Sequence, residues 1–223
     1  MTYRLIVFIS GDGSGLQAIV NAVKDGQLPT VEIALVVSNR GAAQGLTYAK
    51  TAGLPTLYFP LKMFVDAGLG RQSYDAALAE KLQPYKPDLL VQAGWMHVFS
   101  HSFLDHFPDK VLNLHPVLPS QFAGVDGIKR TFEAFRSGQA THGGWVVDWV
   151  MPEADAGPTI AETLVSISEG DTLQAFDERM RVAEQRLIVR AIKKILTPAL
   201  PAPEAVPTRL YLPNDASGPV IDG

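Results

Sequence analysis

The sequence contains no cysteine among its 223 residues. Disulfides, thiolate nucleophiles and cysteine-ligated metal sites are therefore excluded together, although this absence says little about the cellular compartment. Long apolar runs and an N-terminal leader pattern are also lacking, so we expect a cytoplasmic protein without a membrane span. An excess of positive charge is missing as well. The net charge is -4, with 19 basic and 23 acidic residues, which argues against a nucleic-acid scaffold because such proteins need a basic surface.

Strands alternate with helices through the first half of the chain. Runs rich in β-branched and aromatic residues predict strands, and apolar residues at helical spacing predict the helices between them. Such alternation is typical of right-handed βαβ units and a parallel sheet. With 47% hydrophobic and 19% charged residues, the chain is a globular protein that can bury a substantial core. The predicted strands are 4–10, 31–37, 56–59, 88–94 and 111–115, and the predicted helices are 16–23, 45–52, 74–82 and 128–135.

The second half of the chain has a different pattern. Residues 144–150 and 159–165 predict two strands joined by a short connection, which favours an antiparallel hairpin. Residues 172–196 predict one long amphipathic helix. We therefore expect an α/β fold, with a Rossmann-like, mostly parallel twisted sheet and an antiparallel C-terminal hairpin extension. The expected organisation is a single domain (1–200), made of a phosphate-binding half (1–100) and a catalytic half (101–200), followed by a proline-rich tail (201–223).

A glycine-rich turn follows the first predicted strand and opens the first predicted helix. Backbone N–H groups in such a turn can approach a phosphate closely, and the helix N-terminus favours an anion. Leu16 stands where the dinucleotide-binding fingerprint has its third glycine, and no Walker lysine follows. Phosphate binding and a plain tight turn therefore both remain open for the turn Gly11-Asp12-Gly13-Ser14-Gly15.

Two polar side chains emerge from the predicted strand 111–115. Because successive side chains of a strand point to opposite faces, Asn113 and His115 should lie on the same face. Pro116 should end the strand, so that His115 stands at its carboxyl end, where open α/β sheets bind ligands. With Asp155 from a later loop, the amide, the imidazole and the carboxylate would suit acyl transfer through a tetrahedral intermediate. An aspartate beside the histidine would favour its charged form.

Each of these residues also has a structural interpretation. A lone histidine in an apolar setting is commonly a hydrogen-bonded structural residue, and Asp155 begins a good turn sequence. We interpret His97, His101 and His106 as part of a packed surface helix rather than a metal site, and we expect no metal. Ser14 lacks the bracketing glycines of a nucleophile elbow, so we expect no covalent serine.

Four motifs together resemble a known enzyme family. Their order along the chain is that of the phosphoribosylglycinamide formyltransferases, which are folate-dependent formyltransferases. The resemblance covers residues 5–196, and it implies formyl transfer from the co-substrate 10-formyltetrahydrofolate to the amine of glycinamide ribonucleotide in purine biosynthesis. The four motifs are Gly-Asp-Gly-Ser-Gly-Leu-Gln-Ala-Ile (11–19), Ala-Gly-Trp-Met (93–96), Asn-Leu-His-Pro (113–116) with Leu118-Pro119, and Asp-Ala-Gly-Pro (155–158).

The resemblance also implies roles for particular residues. Asn113, His115 and Asp155 match the family's catalytic residues. The second half of the chain would thus be catalytic and folate-binding, and the partners would be small molecules rather than nucleic acid or a membrane. The oligomeric state stays open, a homodimer being one option. The implied substrate-binding residues are Gly13, Ser14, Gly15, Arg71, Gly94, Met96 and, as the nearest acid on the last helix, Glu184; the implied folate-binding residues are Trp95, Met96, His97, Val98, Val150, Met151, Pro152 and Ala154.

Several positions depart from the family's pattern. The family's turn usually reads Gly-Asn-Gly-Ser-Asn, whereas Asp12 and Gly15 stand here, and Asp12 adds a negative charge near the expected phosphate. His97 stands where an arginine is common, and Asp148 where a histidine is common. Arg186 stands where the last helix often has a glutamate. These departures leave the identity of the acceptor open.

Two other kinds of function remain. A 10-formyltetrahydrofolate hydrolase, or a formyltransferase acting on another amine, would share the same three chemical residues. A non-catalytic folate- or nucleotide-binding protein would agree with the departures from the family's pattern. An assay of formyl transfer to glycinamide ribonucleotide and to water separates these alternatives.

Overall fold

The computed structural model describes residues 2–116, 127–151 and 157–196. Seven strands of these ranges form one sheet: β1 (Tyr3–Ile9), β2 (Val31–Ser38), β3 (Thr56–Tyr58), β4 (Leu89–Ala93), β5 (Val111–His115), β6 (His142–Trp149) and β7 (Thr159–Ser166). Their order in the sheet is β3-β2-β1-β4-β5-β6-β7. The first five strands are parallel, while β6 pairs in antiparallel fashion with both β5 and β7. The expected α/β fold, with a mostly parallel sheet and an antiparallel extension, is confirmed.

Seven helices connect or follow these strands. They are α1 (Ser14–Lys24), α2 (Gln44–Thr51), α3 (Lys62–Asp66), α4 (Arg71–Leu82), α5 (His101–Leu104), α6 (Gly127–Arg136) and α7 (Leu173–Leu196). The first helix illustrates how the sequence sets the bounds. Leu16, Ile19 and Val20 recur at helical spacing and are all buried, and Gly26, just beyond the last turn, has a φ of 72° that suits glycine.

Apolar clusters fill the space on both faces of the sheet. On one face, strand side chains such as Val7 and Leu112 pack with α1, α2, α6 and α7. On the other face, Phe8, Leu90 and Val111 pack with α4, α5 and the aromatic residues around them. Because both faces are covered, the central strands can be apolar throughout, which explains the continuous hydrophobic runs in the sequence.

The order of the strands reverses at β1, and open α/β sheets bind their ligands at such a point. The chain passes from β1 outward through β2 and β3, and then crosses back to place β4 on the other side of β1. At such a reversal, the connections after two neighbouring parallel strands diverge and leave a ligand-sized opening. The turn 10–13 after β1 and Gly94 after β4 border this opening, and Ser10 N donates to Gly94 O at 2.9 Å. The carboxyl end of β5 lies at the same edge because β5 is parallel to β4.

Some short elements were not predicted from the sequence. Helix α3 and the 3-10 turn at residues 83–85 contain too few residues to produce a periodic pattern. The predicted surface helix with three histidines is wrong in its extent, because α5 covers only His101–Leu104, while His97 precedes it and His106 follows it. Within the described ranges, no helix combines the length and the apolar content that a membrane span requires.

Candidate active site

Asn113 and His115 lie two residues apart on β5, and their side chains emerge on the same face. Asn113 Nδ2 is 3.2 Å from His115 Nδ1, and both side chains are partly buried. The face is the one covered by α4 and α5, because Val111, which alternates with them, belongs to that cluster. The expected convergence of an amide and an imidazole is therefore confirmed, whereas their roles remain predictions.

A second strand brings a carboxylate to the same place. Asp148 on β6 pairs in register with Asn113, and its Oδ2 lies 3.9 Å from His115 Nε2. The Asp148 side chain is buried, with 2% of the residue exposed. Burial lowers the pKa of His115 below its ordinary value, and the charge of Asp148 opposes this effect without cancelling it. A fully charged imidazole therefore needs further support, and Asp155, which was expected to give it, lies outside the described residues.

The glycine-rich turn after β1 is tightly packed against its neighbours. Gly13 is the N-cap of α1 and has a φ of 79°, a conformation that residues with a Cβ rarely adopt. A Cβ on Gly13 would lie 2.8 Å from the Cα of Gly45, and one on Gly15 would lie 3.1 Å from the Cβ of Ala93. The turn thus leaves backbone N–H groups at the N-terminus of α1 beside β4, where the helix dipole favours an anion.

The acidic residue of this turn, Asp12, is hydrogen-bonded through both of its carboxylate oxygens. Asp12 Oδ1 accepts the backbone N–H of Ser14 at 3.2 Å, and Arg181 Nη1 donates to Asp12 Oδ2 at 2.6 Å. Burial raises the pKa of Asp12, but these hydrogen bonds outweigh it and hold that pKa below its ordinary value. The negative charge noted in the sequence is therefore paired with a positive charge from α7.

Glu184 on α7 lies beneath the same turn. Ser14 Oγ donates to Glu184 Oε2 at 2.7 Å, and the glutamate is buried, with 7% of the residue exposed. Burial raises the pKa of Glu184, and the hydrogen bond from Ser14 opposes the rise. The sequence suggested Glu184 only as the nearest acid on the last helix, and the structure brings its carboxylate into contact with the Ser14 hydroxyl of the turn.

A hydrogen-bonded chain fixes the segment that follows β4. Met96 N donates to Ser10 Oγ at 3.1 Å, and Ser10 Oγ donates to Asn39 Oδ1 at 2.8 Å. Asn39 Nδ2 lies 3.0 Å from His97 Nε2. Burial and the nearby Arg71 guanidinium lower the pKa of His97, which favours the neutral ring, the form whose Nε2 can accept from Asn39.

Arg71 ties the far end of this segment to α4. Its Nη2 donates to Val98 O at 2.6 Å, and its Nε donates to Asp75 Oδ1 at 2.8 Å. Asp75 is fully buried and also accepts the backbone N–H of Ser100 at 2.8 Å. Arg71 thus lies close to the expected folate-binding segment, although its guanidinium is already engaged.

The residues implied to bind folate fall into two groups. Trp95 belongs to the aromatic cluster under α4 and α5, and Val150 packs against the same cluster. Met96 and Val98 expose their side chains, at 52% and 84%, as does Met151 at 37%. The segments around Trp95 and Val150 therefore share one face of the sheet, as the implied binding site requires, while Pro152, Ala154 and Asp155 lie outside the described residues.

Sequence reasoning missed several polar residues in this region. Asn39 and Asp75 were not singled out, because each contacts its partners only after distant strands and helices have packed. Gln92 on β4 pairs in register with Asn113 and is 4% exposed, and its position within an apolar strand was a signal that could have marked it. Asp148, noted in the sequence only as a departure from the family, gave the same signal within strand 144–150.

The close approach at Gly13 makes a measurable prediction. Gly13→Ala should lower the free energy of unfolding by at least about 2 kcal/mol, because the added Cβ meets both a positive φ and the backbone of Gly45. Gly26→Ala is the matched control at the other end of α1, since its φ is also positive but nothing lies within 4 Å of its Cβ. It should cost about 1 kcal/mol. Denaturant unfolding measures both values, and equal losses would contradict the role given to Gly45.

The fold is that of an enzyme class that transfers one-carbon groups. A family model described as formyl transferase matches residues 3–192, so the chain belongs to the formyl transferase family. Proteins named phosphoribosylglycinamide formyltransferase are among its relatives. The one from Schizosaccharomyces pombe is 41% identical over 204 residues, which cover 88% of this chain and 99% of that protein. The one from Haemophilus influenzae is 34% identical over 190 residues, which cover 85% of each.

The same likeness holds for solved structures. The crystal structure of glycinamide ribonucleotide transformylase 1 from Geobacillus kaustophilus aligns with a TM-score of 0.79 at 31% identity. The alignment covers 88% of this chain and 100% of that chain. The seven-stranded sheet described above is therefore the formyltransferase fold.

Proposed function

We propose that this protein transfers the formyl group of 10-formyltetrahydrofolate to the amine of glycinamide ribonucleotide in de novo purine biosynthesis. The observation that carries the proposal is the pair of Asn113 and His115 at the carboxyl end of β5, at the same edge as a glycine turn that opens α1. The names of the relatives that match along nearly their whole length support it.

Direct transfer suits the side chains of this chain. There is no cysteine, and Ser14 Oγ is engaged with Glu184, so neither offers a nucleophile for an acyl-enzyme. The substrate amine attacks the formyl carbon, and the carbonyl electron pair moves to the formyl oxygen. When the carbonyl re-forms, the bond from the formyl carbon to the folate nitrogen breaks. The attacking nitrogen loses a proton and the folate nitrogen gains one, so the products are the formylated amine and tetrahydrofolate.

Asn113, His115 and Asp155 are the catalytic residues of this proposal. The Asn113 amide donates to the oxyanion as it forms, and a charged His115 stabilises the same negative charge. Asp155 favours the charged imidazole and relays the amine proton through water. Support comes from the contact between Asn113 and His115 and from the carboxyl end of the strand that presents them.

The phosphate of the ribonucleotide would bind at the turn that opens α1. Gly13, Ser14 and Gly15 form this turn; the Ser14 N–H donates to Asp12 Oδ1, so the next N–H groups at the start of α1, beginning with that of Gly15, would face the phosphate, and Glu184 holds the Ser14 hydroxyl from below. The rest of the nucleotide would lie along Gly94 and Met96 towards Arg71. Glu184 thus positions the turn through its hydrogen bond with the Ser14 hydroxyl.

The folate would lie against the face of the sheet that carries the aromatic cluster. The exposed side chains of Met96, Val98 and Met151 suit contact with the flat face of an aromatic ring; Trp95 belongs to that cluster and Val150 packs against it. His97, Pro152 and Ala154 complete the proposed folate-binding set. The co-substrate supplies the formyl carbon, and the proposal involves no metal. We assign the enzyme to the cytoplasm, as a single domain over residues 1–200, with its oligomeric state open.

The function is tested by measuring formyl transfer with purified protein. With 10-formyltetrahydrofolate present, glycinamide ribonucleotide should be formylated much faster than formate is released to water. Faster release of formate than formylation would favour the hydrolase, and transfer to another amine would favour a different acceptor. Binding of both ligands without turnover would favour the non-catalytic alternative.

The paired charge at the turn gives a prediction about nucleotide affinity. Asp12→Asn should lower KM for glycinamide ribonucleotide by about three- to tenfold, because it removes a negative charge near the phosphate and frees Arg181. The asparagine can still accept the backbone N–H of Ser14, so the turn keeps its shape. Steady-state kinetics at low ionic strength measure the change.

Asp177→Asn is the matched control for this prediction. Asp177 Oδ2 lies 3.9 Å from Arg181 Nη2, but Asp177 is on α7 rather than in the turn. Its loss should change KM for the nucleotide by less than about twofold, because the pair is exposed. If Asp177→Asn lowered KM for the nucleotide while Asp12→Asn left it unchanged, the phosphate would bind elsewhere than at the turn.

A further inference from the structure

A row of polar side chains crosses three strands of the sheet on the face that carries His115. Gln92 on β4 pairs in register with Asn113 on β5, and Asn113 pairs with Asp148 on β6. Paired residues of neighbouring strands point to the same face, so these three side chains lie side by side. His115, two residues beyond Asn113, lies beside the same row.

Asp148 is the unusual member of this row. Both of its carboxylate oxygens are buried, and neither has a hydrogen-bond partner within residues 2–116, 127–151 and 157–196. Burying a carboxylate without hydrogen-bond partners costs free energy of folding, so its presence in the fold calls for an explanation. A group that can carry a positive charge lies close to this carboxylate, because His115 Nε2 is 3.9 Å from Asp148 Oδ2. Among the charged groups that the structure describes, Asp148 is the one that acts on His115.

The two nitrogens of His115 face different neighbours. Nε2 faces the carboxylate of Asp148, and Nδ1 faces the amide of Asn113. A carboxylate favours a proton on the nitrogen that faces it, so Nε2 carries the proton in the neutral ring and Nδ1 accepts from Asn113 Nδ2. When the ring gains a second proton, Nδ1–H must donate instead. The Asn113 amide then turns its oxygen towards His115 and leaves its NH₂ group free.

We propose that Asp148 is a positioning residue that fixes the proton of His115 on Nε2 and, by stabilising the charged ring, sets the orientation of the Asn113 amide. The charged ring directs the amide oxygen to itself and the amide NH₂ group to the place where the formyl oxyanion develops. The kinetic part of this inference rests on the proposed function. The titration part concerns the ligand-free protein and does not depend on it.

Asp148→Asn removes the charge and keeps the size of the side chain. In the ligand-free variant, NMR should find the pKa of His115 lower than in the original protein by about one unit. The ¹⁵N shifts of the neutral ring should change from the Nε2–H form to a mixture of both forms. The thermal midpoint should rise, because a buried charge without a partner is removed. A purely structural carboxylate would instead leave the His115 titration unchanged and lower the midpoint.

The kinetics of the same variant should change in a defined direction. Because the charged ring is the active form, activity falls as the pH rises through the pKa of His115, and this fall should move to lower pH by about one unit. At pH 7, kcat should fall by about tenfold with KM for both substrates nearly unchanged. A change in KM alone would contradict the proposal.

Two further variants separate the charge of Asp148 from other causes. Gln92→Leu removes a buried polar side chain of the same row, whose Nε2 also has no partner in the described parts of the chain, but it changes no charge. The His115 titration in this variant should match the original protein. Asp155→Asn tests the other aspartate. A shift of His115 in Asp155→Asn but not in Asp148→Asn would overturn the proposal.

The remaining outcomes are also decisive. The other four histidines give internal reference signals in the same spectra. If Asp148→Asn does not fold, Asp148→Ser removes the charge with a smaller side chain and receives the same measurement. An unchanged His115 titration in a folded variant overturns the role of Asp148 whatever the activity. A shifted titration in a protein that transfers no formyl group keeps this role and rejects the proposed function.

Discussion

Asn113→Ala should lower kcat for formyl transfer by about 100- to 1000-fold, with only a small change in KM for either substrate. An oxyanion donor acts on charge that appears only in the transition state, so its loss affects turnover rather than ground-state binding. The side chain is partly buried on β5 and has room for the smaller alanine, which makes a folded variant the expected result. Steady-state kinetics with both substrates varied, together with thermal unfolding, measure the two effects.

Asn21→Ala is the control for this substitution. Asn21 is an exposed residue of α1, and its loss should leave kcat within about twofold, as for other surface positions. A folded Asn113→Ala enzyme with a nearly unchanged kcat would show that the amide does not stabilise the transition state. The binding-protein interpretation of the site would then be preferred.

The architecture was predictable because the signals for it are local. Continuous runs such as residues 4–10 and 31–37 are typical of strands buried on both faces, and the intervening helical periodicity implies parallel pairing. The antiparallel extension followed from the short connection between residues 150 and 159. Helix α3 has only five residues and none of them is buried, so it left no pattern in the sequence that could be used.

The meeting of Asn113 and His115 was predictable for the same reason. Two residues that alternate on one strand share a face whatever the rest of the fold does, and Pro116 marks the end of that strand. The residues that contact Asn113 and His115 from other strands were harder to predict from the sequence. Asp148 reaches His115 only because β6 pairs with β5 in one particular register, which the sequence alone does not determine.

The surroundings of the glycine turn depended most on tertiary packing. Ser14 and Glu184 are separated by 170 positions, and Asp12 and Arg181 by 169. Only the packing of α7 beside α1 brings these residues together. The charge of Asp12, which in the sequence argued against a phosphate, is paired in the structure, so the departure from the family's turn is compensated by a residue that sequence comparison would not connect with it.

Combining Asn113→Ala with His115→Ala should cost far less than the product of the two single effects. His115→Ala alone should lower kcat by about 100- to 1000-fold, since it removes both a positive charge and the group that orients the amide. Once either residue is absent, the other has lost the partner 3.2 Å away that holds it in position. The double variant should therefore lie within about tenfold of the slower single variant.

Asp12 and Asn113 are a control pair whose substitutions should affect the enzyme independently. Asp12 and Asn113 share no hydrogen bond in the described structure, and they are expected to contact different parts of the substrates. Asn113→Ala combined with Asp12→Asn should therefore show kcat and KM effects that simply add as free energies. If the Asn113 and His115 substitutions also combined in that way, in folded proteins, the two side chains would act separately. The amide could then not owe its orientation to the imidazole, and the oxyanion site would have to be built around Asn113 alone.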